Sequence, residues 1–65
     1  MLEYQEQVLK EAEALGVLVT KLEAFIDGGT FLECSRSEQQ RLKEQLVYMR
    51  AYLDVLQQRI KGFKP

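Results

Sequence analysis

Between Leu42 and Phe63 the apolar residues fall at Leu42, Leu46, Met49, Leu53, Leu56, Ile60 and Phe63, spaced alternately by four and three. That alternation keeps one line of side chains on one side of a helix. It is the pattern of a helix packed lengthwise against another. Tyr48, Ala51, Tyr52 and Val55 form a second apolar line beside the first. The two lines make a face wider than one partner helix covers, which points to self-association.

The first half of the chain repeats the pattern. Tyr4, Val8, Leu15, Leu18, Leu22 and Phe25 keep the spacing, with Ala12, Val19 and Ile26 beside them. Glu11 stands where the next apolar residue is due. The periodicity predicts a helix over about 2–26. Gly16 interrupts it at a cost of about 1 kcal/mol relative to alanine, which calls for a packing reason such as close approach of another backbone. Asp27–Gly28–Gly29–Thr30 ends the helix, with the glycines expected to supply the left-handed geometry of a helix C-terminus. Phe31, Leu32 and Cys34 are expected to tuck back over the hairpin end. Ser35 with Glu38 reads as a capping box, with Ser37 and Gln40 as the other choice, and opens a second helix over about 36–61. Gly62 is the expected terminator, with Pro65 beyond it.

Folding the chain back antiparallel sets Phe25 against Leu42, Leu22 against Leu46, Leu18 against Met49 and Leu15 against Leu53. Glu11 then meets Leu56, Val8 meets Ile60, and Tyr4 meets Phe63. One register satisfies both helices over their whole length. The expected fold is all-α: a single domain over 1–65, a two-helix antiparallel hairpin with its turn at 27–35, assembling into a homo-oligomeric helical bundle.

Composition narrows the picture. A chain of 65 residues is near the lower limit for folding alone. Cys34 is the only cysteine and there is no histidine, so neither an internal disulfide nor a four-ligand zinc site is available. Further copies of the chain are the remaining source of stability. Residues 1–33 carry seven acids and two bases, whereas 34–65 carry three acids and seven bases. The halves attract one another, which suits antiparallel pairing. The basic half also suits an anionic ligand, but it has no long Lys/Arg run, so duplex nucleic acid is not an expected partner. No apolar stretch approaches the ~20 residues of a membrane span, and Met1–Leu2–Glu3 does not open a signal peptide. A cytoplasmic protein with a reduced thiol is expected, without a membrane partner.

Enzyme chemistry finds no foothold. The chain lacks a histidine, a Ser–His or Cys–His pair, a glycine-rich phosphate loop and a metal cluster, so no catalytic residue, cofactor or metal is expected. Glu11 is the informative polar residue, because a carboxylate at a packed seam must find a donor or take up a proton. Arg59 lies about one turn from its layer, and Tyr52 is a further donor across a subunit contact. Glu11 is either half of a buried or half-buried, register-fixing ion pair with Arg59, of its own chain or of a neighbour, or the group that orients a ligand-binding arginine. A flat base stacks on tyrosine or arginine, and phosphates take lysine or arginine. Tyr4, Tyr48, Tyr52, Lys10, Lys21, Arg50 and Arg59 are the residues of that kind.

The set Tyr4–Gln5, Val8, Glu11, Leu15, Lys21–Leu22, Phe25–Ile26 and Phe31, followed by Gln45–Leu46, Met49, Tyr52, Val55–Leu56, Arg59–Ile60 and Phe63, resembles the short helical-hairpin proteins of crAss-like and other gut bacteriophages. Those share a hairpin domain with phage proteins that counter the CBASS and Thoeris defences. The resemblance covers nearly the whole chain. It implies a homohexamer that binds cyclic oligonucleotide immune signals between subunits without cleaving them, in the host bacterial cytoplasm. Cyclic di- and trinucleotides and cyclic ADP-ribose isomers are the implied ligands. A ligand-binding lysine of the family falls at Lys10 or at Leu9 beside it, and an arginine of its C-terminal helix at Gln58–Arg59. The better-known members carry a ligand-stacking aromatic residue on a segment before the long helix, for which Tyr4 is a substitute by kind and not by alignment, and Gln7 stands where the short phage proteins often have arginine. The ligand-binding set implied is Tyr4, Lys10, Glu11, Tyr52 and Arg59. The contrasting expectation is a structural or adaptor protein whose helical surface binds another protein.

Overall fold

A computed structural model describes residues 1–63; Lys64 and Pro65, the latter expected beyond the last helix, lie outside the described residues. Three helices follow one another: α1 over Glu3–Ile26, α2 over Gly29–Glu33 and α3 over Arg36–Lys61. The two long helices run antiparallel and form a rod 48 Å long and 14 Å across. At the open end the rings of Tyr4 and Phe63 meet edge to face, with centroids 6.0 Å apart, in the register the apolar spacing predicts.

On α3 the inward residues are those of the unbroken stripe: Leu46 and Leu56 are buried, and Leu42, Met49, Leu53, Ile60 and Phe63 are half-buried. Leu56 has no exposed surface at all. On α1 the inward line differs from the expected one. It runs through Gln5, Val8, Ala12, Leu15, Val19, Leu22 and Ile26, of which Gln5, Val8 and Val19 are buried. Tyr4, Glu11 and Leu18 flank it; Tyr4 is 55% exposed and Leu18 53%. The two lines share Val8, Leu15 and Leu22 and differ elsewhere by one residue, which turns the centre of the buried stripe by about 50°. The reason is electrostatic. The expected line buries the carboxylate of Glu11, whereas the observed one buries the neutral amide of Gln5, which costs far less when it is hydrogen-bonded. Gln5 is so bonded: its Oε1 accepts from the Leu2 backbone N–H at 3.0 Å, tying the first turn of α1.

The hairpin bend is also built otherwise than expected. Asp27 closes α1 in a right-handed conformation, and Gly28 is extended. No glycine among the described residues takes a positive φ. One extended residue after the Asp27 cap lets a second helix start at once, so the bend is the short α2 and not a left-handed cap. That helix buries Phe31 and turns Leu32 outward, leaving Leu32 77% exposed and not tucked over the end. Lys43 lies over the Phe31 ring, 5.8 Å from its centroid. Ser35 caps α3, its Oγ accepting from the Glu38 N–H at 3.2 Å. Gly62 closes the helix, donating to the Gln58 and Arg59 carbonyls. At Gly16 the reason expected for a glycine is missing, since a Cβ there would meet nothing within 4 Å.

Candidate functional site

The rotation of α1 decides which polar groups share a face. Glu11 moves from the seam to its edge, where the Tyr52 hydroxyl donates to its Oε1 at 2.8 Å. The bond joins the two long helices of one chain. Within the hairpin Glu11 is exposed and not buried, and no ion pair joins it to Arg59 of the same chain among the described residues. The phenol of Tyr52 is held above its ordinary pKa, first because its proton is bonded to Glu11, then because of partial burial and the Glu11 charge. The nearby Arg59 charge pulls the other way. Arg59 is thus near enough for its charge to act on the Tyr52 hydroxyl.

Helical spacing extends this face in both directions. Tyr4 precedes Glu11 by seven residues and Leu18 follows it by seven, so both lie on the same side about 10 Å away along the axis. On α3, Tyr48 lies one turn before Tyr52, Arg59 two turns after it, and Arg41 two turns before Tyr48. Of the five residues implied as ligand-binding, the fold brings Tyr4, Glu11, Tyr52 and Arg59 to one face. Lys10 is exposed, and its position in the helical cycle sets it on the side of α1 away from α3.

Beside Tyr52 an open apolar trough of about 600 Å³ runs along the face, lined by Leu15, Arg41, Glu44, Gln45, Tyr48, Met49 and Tyr52. Tyr48 is the most exposed of the three tyrosines, at 70%. Arg41 carries no mark in the sequence by itself; its seven-residue offset from Tyr48 is the signal that places it here. Its Nε bonds Glu38 at 3.2 Å, a pair both of whose members are largely exposed and therefore weak. The other edge of the hairpin is clasped by Arg50 and Glu23, so Arg50 is engaged in holding the helices together.

Among the described residues no group of acids and thiols is arranged to hold a metal ion, and no helix is long and apolar enough to cross a membrane. What the face offers is exposed aromatic rings with cations at either end, suited to stacking and to charge-assisted hydrogen bonds.

Comparison with known proteins gives two findings. The model of the Sequestin family matches residues 2–62. An uncharacterized 7.5 kDa protein in the denB-rIIB intergenic region of Enterobacteria phage T4 is 36% identical over 64 residues, covering 98% of this chain and all of that one. No solved structure matches the chain.

Proposed function

Since the chain belongs to the Sequestin family, a phage family that sequesters cyclic nucleotides, we propose that it captures a cyclic oligonucleotide immune signal and holds it intact. The ligands are cyclic di- or trinucleotides or cyclic ADP-ribose isomers, and the protein acts in the host cytoplasm by starving an immune effector of its activator. The family match over residues 2–62 carries this reading. The face bearing Tyr4, Glu11, Tyr52 and Arg59 supports it, because it combines ring surfaces with a guanidinium.

The working unit is a homo-oligomer, a hexamer. One hairpin leaves Val17, Leu18, Val47 and Val55 about half or more exposed, and a chain of this size gains stability by covering such surface with further copies. Lys10, on the far side of α1, then meets ligand only where a neighbouring subunit brings it to the face. Repetition by symmetry lets a cyclic ligand meet each group more than once, so modest single contacts add to tight capture.

Thermal denaturation against a panel of cyclic di- and trinucleotides and cyclic ADP-ribose isomers tests the reading. A ligand present at a hundred times its Kd adds about 2.7 kcal/mol of stability. Melting curves unmoved across the panel would support the adaptor function instead.

A further inference from the structure

The stripe of α3 that flanks the seam reads Arg41, Tyr48, Tyr52, Arg59, separated by seven, four and seven residues. At about 100° per residue these four lie within roughly 40° of one another around the helix. Two tyrosines one turn apart are thus bracketed by a guanidinium at each end. The open apolar trough lies along the Arg41–Tyr52 part of this stripe, with Met49 and Leu15 as its floor.

We propose that this trough is the base-binding part of the site, with Tyr48 as the stacking platform and Arg41 as the phosphate contact. The inference rests on the sequestration reading and adds to it two residues outside the implied ligand-binding set. Within one hairpin the Tyr48 ring is largely exposed, and aromatic faces accept any nucleobase. Arg41 is held only by a solvent-exposed carboxylate, which a phosphate displaces at little cost. Glu44 stands at the outer rim of the trough, already accepting from Gln40 at 3.3 Å, and its free oxygen suits an exocyclic base amine.

Charge distinguishes a nucleotide from a second copy as the occupant. Laid antiparallel on itself, the stripe opposes Tyr48 to Tyr52 but also Arg41 to Arg59. The rings agree and the like charges repel. An anion between or beside the guanidiniums removes that conflict, which a bare protein contact does not.

Equilibrium dialysis of the full chain against the same panel, with light scattering on each variant, tests this. The wild type retains a ligand; Tyr48→Phe, which keeps the ring, retains it equally; Tyr48→Leu weakens binding at least about fivefold at unchanged mass. Arg41→Gln weakens it about tenfold, with a shallower salt dependence. Full binding by Tyr48→Leu overturns the assignment and leaves sequestration standing. A loss of binding accompanied by a fall in mass also overturns it, by making Tyr48 a subunit contact. A wild type that retains no member of the panel overturns both.

Discussion

The Tyr52 hydroxyl reaches Glu11 across the two long helices, donating to Oε1 at 2.8 Å. A single rotation of α1 separates this arrangement from one with Glu11 under Leu56, and it turns a buried acid into the anchor of an accessible phenol. The bond also fixes where the ring of Tyr52 lies relative to Arg59, on the face assigned to ligand capture.

The phenol should therefore titrate late. Glu11 raises the Tyr52 pKa above its ordinary value, so the folded state holds that proton more tightly than the unfolded chain does. The resulting stability is fully present below a pH of about 10 and is lost as pH rises through the folded-state pKa. Tyrosinate absorbance followed against pH should show one late component, which Tyr52→Phe removes and Glu11→Gln moves to lower pH. A late component unchanged in Glu11→Gln would break the assignment.

The rotation of α1 has its own test. Val19 is 7% exposed and Leu18 53% exposed. Val19→Ala should cost about 2 kcal/mol in urea denaturation, more than Leu18→Ala despite the smaller side chain removed. Leu56→Ala, at the fully buried position, should cost about 2–5 kcal/mol and come close to unfolding so small a protein. A Leu18→Ala variant less stable than Val19→Ala in dilute hairpin would return Leu18 to the seam.

Gly16 should be replaceable. A Cβ there meets open space, and alanine is about 1 kcal/mol better in a helix interior. Gly16→Ala should raise the melting temperature with no change of ligand binding, as measured by thermal denaturation with and without ligand. A lowered melting temperature would mean that another backbone approaches Gly16 in the assembly.

Two ion-pair comparisons separate observed from expected contacts. Arg50 and Glu23 pair across the helices with both side chains partly exposed, so a double-mutant cycle should give a coupling of about 0.2–1 kcal/mol that shrinks in high salt. The same cycle on Glu11 and Arg59 should give a much smaller value, because Glu11 bonds Tyr52. At the other end of α3, Ser35→Ala should cost about 1 kcal/mol by loss of its cap, whereas Ser37→Ala should cost less, since the Glu38 N–H is bonded to Ser35.

What could be read from the chain in advance followed from how many patterns competed for each segment. α3 had one unbroken line from Leu42 to Phe63, and the inward residues are that line. α1 had two lines sharing Val8, Leu15 and Leu22. Periodicity alone does not rank them; the cost of burying Glu11 against Gln5 does, and it depends on the Leu2 N–H that Gln5 finds. Gly28 and Gly29 marked the bend but not its form, because an extended glycine and a left-handed one look alike in sequence. The candidate face was legible only in part for the same reason. Tyr52 and Glu11 meet only in the observed rotation of α1, and Arg41 enters through the trough it lines with Tyr48 and Tyr52.

Capture without turnover is tested directly by one experiment. Protein is incubated for hours with a bound cyclic oligonucleotide, the free ligand is measured, the protein is denatured by heat, and the supernatant is analysed by chromatography. Sequestration requires free ligand to fall with protein added and to return in full, intact and able to activate its effector, once the fold is lost. Undiminished free ligand, or a linearised product above the protein-free control, would contradict it.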